Sequence, residues 1–213
     1  MAMKLRTIPA GPLETNAYLL MDTDRDKAVL VDAPVDVWSQ VDPILKEEGC
    51  VLTGLLLTHA HYDHIGDAAK IRALGAPTWG HKDDQAMYEN PEMMRAYAYP
   101  PDTPLEPVAI DHWVDDGDRF DLMERSFEVR HVPGHCPGNI LFFEADLGLA
   151  FVGDALFAGS IGRTDLPGGS FEVLERSIRE RIYTLPDATR VLPGHGPTTT
   201  VGEEKRMNPF VSA

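Results

Sequence analysis

The chain has 213 residues with 34 Asp and Glu against 19 Lys and Arg, a net charge of −15. That balance repels polyanions and offers no basic block to attract them, so neither nucleic acid nor an anionic membrane is an expected partner. A chain of this length buries a sizeable core without staples. Its two cysteines, Cys50 and Cys136, make a weak disulfide framework, so reduced thiols in one domain spanning 1–213 are expected. The first ten residues lack the apolar core of a signal peptide, and no later stretch approaches membrane-spanning length. A soluble, cytoplasmic protein is the expectation.

In chain order, residues 5–8, 17–21 and 28–31 are strand-like, separated by Gly11-Pro12 and by the polar turn 22–27, and they predict a β-meander. Residues 37–48 place Val37, Val41, Ile44 and Leu45 at helical spacing and stop at Gly49, which predicts the first helix. The apolar run 52–57 predicts a buried strand that delivers the chain into Thr58-His59-Ala60-His61-Tyr62-Asp63-His64. Residues 65–74 predict a helix. Residues 91–107, with five prolines, predict a long irregular loop that is either a lid or a surface excursion. Further strands are expected over 127–132, 140–144 and 149–152, a helix over 171–183, and a last strand over 190–192 ahead of Pro193-Gly194-His195. Two successive halves, each of strands followed by helix, predict two sheets packed face to face with helices outside.

Five of the eight histidines, His59, His61, His64, His135 and His195, fall at predicted strand ends beside Gly, Pro or Asp, where loops let side chains converge. An extended chain puts alternate side chains on one face, so His59 and His61 can grip one ion while Asp63 and His64 turn toward a second. Imidazole nitrogen and carboxylate oxygen suit zinc, iron, manganese and cobalt alike. Gly134-His135-Cys136-Pro137-Gly138, Gly153-Asp154-Ala155 and Gly194-His195-Gly196 each follow an apolar or β-branched run and complete the ligand count. His81, His112 and His131 read as surface or hydrogen-bonded residues outside the site. No motif supplies Cys136 with a base, so it reads as a packing thiol.

These motifs, in this order and spacing, resemble the metallo-β-lactamase superfamily. The segment Gly159-Ser160-Ile161-Gly162-Arg163-Thr164-Asp165-Leu166-Pro167-Gly168-Gly169, with Gly194-His195-Gly196-Pro197, Glu203, Asn208, Pro209 and Phe210, is similar to the short bacterial glyoxalase II-like subgroup. The resemblance implies an α/β protein, a four-layer αβ/βα sandwich of two mixed sheets. It implies two divalent transition-metal ions, zinc first, with iron or manganese as alternatives. His59, His61 and His135 would bind one ion, Asp63, His64 and His195 the other, and Asp154 would bridge both. Asp32 would orient a ligand histidine, although its position fits a turn aspartate equally well. The implied activity is hydrolysis of a small thioester such as S-lactoylglutathione. Ions about 3.5–4 Å apart would share a water, lower its pKa and present hydroxide to the carbonyl. Asp63 would also accept a hydrogen bond from that water. Arg163 stands where such proteins carry a basic residue that meets substrate; pairing with Asp165 to hold the loop is the other reading. Only residues 196–213 follow His195, too few for the C-terminal helical domain of the longer glyoxalase II enzymes.

The competing resemblance is to mononuclear iron persulfide dioxygenases, which share the histidine motif and Gly162-Arg163-Thr164-Asp165. Against it, Tyr62, Gly66-Asp67 and Gly196 replace the Ala, Thr-Gly and Asp expected there. A secreted β-lactamase is disfavoured by the missing export signal and an RNA-processing nuclease by the acidic surface. A non-catalytic metal module is disfavoured because structural sites usually close at about four ligands around one ion.

Overall fold

A computed structural model describes residues 3–97, 103 and 105–212 of the chain. Strands β1 (Met3–Ala10), β2 (Thr15–Asp22) and β3 (Lys27–Val31) pair antiparallel in succession, the expected meander. Helix α1 (Trp38–Glu48) stops where Gly49 takes φ 69° and its N–H closes on the Leu45 carbonyl, a left-handed turn that costs a residue without Cβ least. Strand β4 (Val51–Leu56) returns parallel to β3. After helices α2 (Tyr62–Ile65) and α3 (Ala68–Ala73), strand β5 (Thr78–His81) joins β4 in parallel. Helix α4 (Gln85–Glu89) follows, and β6 (His112–Val114) completes a six-stranded sheet in the order β1-β2-β3-β4-β5-β6.

The second sheet is built from β7 (Arg119–Leu122), β8 (Arg125–His131), β9 (Ile140–Glu144) and β10 (Leu149–Gly153) as successive antiparallel neighbours. A small hairpin of β11 (Leu156–Phe157) and β12 (Ser160–Ile161) stands apart. Helix α5 (Phe171–Ser177) runs on as a wider turn over Ile178–Ile182. Strand β13 (Arg190–Pro193) then enters parallel to β10, and β14 (Thr199–Thr200) pairs antiparallel at the edge before helix α6 (Val201–Met207). The order is β14-β13-β10-β9-β8-β7.

Period-two alternation along these strands sorts the side chains into layers. In β2, Ala17, Leu19 and Met21 join Val41 and Leu45 of α1 and Ile71 of α3, while Tyr18 and Leu20 face the other sheet. In β9 and β10, Ile140, Phe142, Leu149 and Phe151 meet them there, whereas Leu141, Ala150 and Val152 pack under Leu174, Ile178 and Val201. Helix, sheet, sheet and helix therefore stack as four layers. Each large apolar side chain buried between them contributes ~1.5–3 kcal/mol. Among the described residues no helix is long and apolar enough to cross a membrane.

Several elements differ from the sequence pattern. The helix expected over 65–74 is divided between α2 and α3: Gly66 keeps helical angles (φ −52°, ψ −43°), but Asp67 turns to φ −100°, ψ 3° and its N–H donates to Ala33 O at 2.9 Å instead of to the helix. Asp67 leaves the helical path, and its Oδ2 accepts the Trp38 N–H at 2.9 Å, capping the start of α1. Strands β5, β6 and β7 have four residues or fewer, too short to show a period. Of the loop expected over 91–107, Pro91–Tyr97 forms a tight helical turn that buries Met94, and residues 98–102 and 104 lie outside the described residues. Beyond His195, α6 is capped by Thr200, whose side chain accepts from Glu203 N.

Candidate metal centre

At one end of the sandwich the two sheets are laced together. Asn16 of β2 donates its backbone N–H to Gly194 O at 2.7 Å, and its side chain donates to Pro193 O and Gly196 O at 3.0 and 2.9 Å. The Tyr18 hydroxyl donates to Pro193 O at 2.7 Å, and Ile140 N donates to Thr58 O at 2.9 Å. Four loops open beside this lacing: 57–61 after β4, 132–139 between β8 and β9, the residue after β10, and 194–196 after β13. Together with α2, which carries Asp63 and His64, they hold every residue that the spacing argument assigned to ligands.

Chain direction explains how residues 59–64 face two ways. His61 is extended (φ −64°, ψ 145°), and α2 starts at Tyr62, so Asp63 and His64 are rotated away from the His59/His61 face. Three overlapping groups result, His59/His61/His135, His59/His64/Asp154 and Asp63/His64/His195, each with its donor atoms within 4.8 Å of one another. His61 Nδ1 and His135 Nε2 are 2.8 Å apart. Asp154 reaches both ends: Oδ2 is 3.6 Å from His135 Nε2 and 3.4 Å from His195 Nε2, and Oδ1 is 3.3 Å from His64 Nε2. Asp63 Oδ2 lies 3.2 Å from His195 Nε2 and 3.5 Å from His64 Nε2, and it accepts the Thr15 hydroxyl at 2.8 Å.

The atoms left over fit cations. His59 Nε2, His64 Nε2 and Asp154 Oδ1 are buried with no hydrogen-bond partner; the last two lie close together but without hydrogen-bond alignment. A buried polar atom left unpaired costs ~1–3 kcal/mol, and three around one hollow of nitrogen and oxygen donors match the needs of divalent transition metals.

The far nitrogens are already held. His64 Nδ1–H donates to Asp32 Oδ2 at 2.8 Å. The Thr58 hydroxyl donates to the same oxygen at 2.8 Å, leaving its lone pair for His59 Nδ1–H at 3.1 Å, and Thr58 N donates to Asp32 Oδ1 at 2.8 Å. His135 Nδ1–H donates to Arg163 O at 2.8 Å, and His195 Nδ1–H donates to Leu13 O at 3.3 Å. Fixing one nitrogen as donor aims the other inward, where an arriving ion would take the place of the protons that the neighbouring carboxylates hold on His64 and His195.

Charge within the metal-free cluster is balanced by protons. Burial pushes His59 well down, and burial followed by His135 pushes His61 to about 3. Burial alone would raise Asp63, but His64 and His195 outweigh it and hold Asp63 at about 2. Burial likewise opposes protonation of His195, which Asp154 and Asp63 nevertheless raise to about 9.

Sequence reasoning missed Asp84, fully buried at the base of the site. Its Oδ2 accepts Ala60 N at 2.9 Å and the Cys136 thiol at 3.4 Å, and its Oδ1 accepts Gly138 N at 2.7 Å. One carboxylate thus ties the His59/His61 loop to the His135 loop, and a Cβ on Gly138 would overlap it. The sequence signal was slight, since Lys82-Asp83-Asp84 reads as an ordinary charged turn. Burial and Asp84 push the Cys136 thiol well up, so it stays protonated.

A cavity of about 520 Å³ opens over the donors, walled by Leu13, Met94, Phe157, Ile161 and Leu166, with Arg163 also in its lining. Arg163 makes a two-pronged ion pair with Asp165 at 2.7 and 2.8 Å. The β11–β12 wall is strapped from behind. Glu204 accepts Gly159 N at 3.0 Å and Asn208 Nδ2 at 2.8 Å, and Asn208 donates to Ser160 O at 3.0 Å.

A sandwich of this layering, with histidines and aspartates gathered on loops at one end, defines a class of metal-centred folds. The chain belongs to the metallo-beta-lactamase superfamily, whose sequence profile matches residues 10–195. A relative from Haemophilus influenzae, hydroxyacylglutathione hydrolase GloC, is 36% identical, with 99% of each chain covered. Among solved structures, BLEG-1 B3 metallo-beta-lactamase is similar at TM-score 0.90 and 37% identity, covering 99% of this chain and 100% of that one. TTHA1623 in a di-iron-bound form gives 0.81 and 38%, covering 97% and 100%. ETHE1 from Myxococcus xanthus gives 0.80 and 30%, covering 97% and 84%.

Proposed function

We propose that the chain, acting as one unit over 1–213, is a cytoplasmic hydrolase of small thioesters such as S-lactoylglutathione that works with two divalent transition-metal ions. The observation that carries this reading is Asp154, whose two oxygens lie between the donors on either side of the cluster. His59, His61 and His135 would hold one ion, Asp63, His64 and His195 the other, and Asp154 both. Zinc is the proposed metal; the nitrogen and oxygen donors also suit iron and manganese. When bound, the ions supply Lewis-acid polarisation of the thioester carbonyl and a water acidic enough to attack near neutral pH.

The chain's own groups do the positioning. Asp32, directly and through Thr58, keeps the His64 and His59 lone pairs inward. Asp63, steadied by Thr15, is the group assigned to accept a hydrogen bond from the attacking water. Leu13, Met94, Phe157, Ile161 and Leu166 line the substrate cavity and exclude bulk water. Arg163 would meet an anionic substrate end on exchanging its Asp165 partner for the substrate carboxylate. Relationship to hydroxyacylglutathione hydrolase GloC over 99% of both lengths supports this reading.

The likeness to ETHE1 supports the second reading, a mononuclear iron persulfide dioxygenase. The Asp63/His64/His195 group favours the hydrolase, because a single ion at the first group gives these donors nothing to hold. Elemental analysis of protein purified without added metal, run beside S-lactoylglutathione turnover and oxygen uptake with glutathione persulfide, separates the two. Two ions per chain and turnover lost in His59→Ala are expected. One iron with oxygen consumption, or no thioester turnover by metal-replete protein, refutes the hydrolase.

A further inference from the structure

Away from the metal centre, His81, Asp83 and His131 also bring ligand-type atoms together. His81 ends β5 and His131 ends β8, so the group joins a strand end from each sheet, and Asp83 stands in the turn after β5. The two imidazoles stack, with centroids 4.2 Å and planes 20° apart. Asp83 Oδ2 lies 3.8 Å from both His81 Nδ1 and His131 Nε2. Zinc-type ions sit ~2.0–2.2 Å from such donors, so two donors sharing an ion stand at most about 4.2 Å apart, and 3.8 Å falls inside that limit.

Burial and local charge favour the same use. His81 is 4% exposed. Its Nδ1 is unprotonated and its one lone pair accepts the Asp83 N–H at 3.2 Å, a long bond that an arriving ion would displace, while Nε2 turns to Asp115 Oδ1 at 3.5 Å. A carboxylate on the far nitrogen is the usual support of a ligand imidazole. His131 Nε2 donates to Pro137 O at 2.7 Å. A shift of that proton to Nδ1 through solvent frees the lone pair and leaves the carbonyl oxygen facing the same space. Asp116 accepts His131 N at 3.0 Å and adds negative charge, partly offset by Arg181 at 3.0 Å. The Asp83 side chain is 54% exposed, so it can rotate onto an arriving ion without repacking.

We propose that His81, Asp83 and His131 form a separate, peripheral site for a first-row divalent transition metal, sharing no ligand with the main centre. The site is independent of the reaction catalysed there. The test is zinc titration of protein already loaded at the main centre, read by competition with a chromophoric chelator. Wild type takes up one equivalent that Asp83→Asn and His131→Gln bind at least ~10-fold more weakly, a loss already produced by removing only a ligand's supporting partner. The glutamine amide keeps an N–H for Pro137 O, and Asp83→Asn alters an exposed side chain, so both variants are expected to fold. Anomalous scattering at the zinc edge should place the ion among the three side chains. Equal zinc uptake and affinity in wild type and both variants, or an extra ion lodged elsewhere, overturns the proposal.

Discussion

Replacing Asp84 with Asn perturbs the clasp beneath the histidine loops while changing only one atom and one charge. The carboxylate accepts Gly138 N on one oxygen and Ala60 N on the other. An amide has a single acceptor oxygen, so whichever way it flips, its NH2 faces a buried N–H. One unpaired donor costs ~1–3 kcal/mol. Part of this is returned, because burial raises the Asp84 carboxyl above its ordinary value against the bonds from Ala60, Gly138 and Cys136. With the folded value above the unfolded one, ionisation at neutral pH works against folding, a penalty that disappears as pH falls through the folded value. A net loss of about 1–2 kcal/mol remains, which lowers Tm by about 2–8 °C in a chain of this size. Activity should fall further than stability, since a shift of about 1 Å in reacting groups costs ~10²-fold. Thermal unfolding of the metal-loaded variant and its kcat/KM are the assays. A Tm within about 1 °C of wild type, together with kcat/KM within about twofold, would refute the assignment of Asp84 as the clasp.

Three other outcomes are expected. Asp32→Asn should weaken both metal equivalents by ~10–100-fold, the effect of removing a ligand's supporting partner; chelator competition showing unchanged affinity counts against it. In the apoprotein, His195 is raised from 6.5 to about 9, Asp154 and Asp63 overcoming the burial that would lower it. A folded value above the unfolded one gives stability that is complete below about pH 6.5 and lost as pH rises through about 9, so urea midpoints should decline across that interval, and a flat profile contradicts the pairing. Asn208→Ala frees Ser160 O and Glu204 behind the cavity wall, so KM should rise several-fold with little change in kcat, for a loss of ~1–1.5 kcal/mol; a fall in kcat alone would put Asn208 elsewhere in the mechanism.

The convergence of seven side chains was legible because His59, His61, Asp63 and His64 are crowded into six positions after an apolar strand, and because His135, Asp154 and His195 each sit beside a glycine at a strand end. The layering was legible for a related reason: the runs 17–21, 28–31 and 140–143 are apolar throughout, the pattern of strands covered on both faces. Short strands were not. Thr78–His81 is buried along its whole length between two partners, and neither its length nor its Trp-Gly pair carries a period. Asp84 was invisible because its value comes from two backbone amides distant in sequence. The break in helix 65–74 was hidden because the Asp67 N–H answers to the Ala33 carbonyl, 34 positions earlier. Arg163 and Asp165, left between two readings, are paired in the structure while Arg163 still lines the cavity.

Asp32 grips His64 outright and steadies His59 by way of the Thr58 hydroxyl. Imidazoles that the proposed two-ion centre would allot to different cations consequently lean on a single anchor. Neither half of the centre can drift in orientation without dragging the other, so sequence change at residue 32 or 58 would retune the pair together, and a variant specialised for a lone ion would have to uncouple them first.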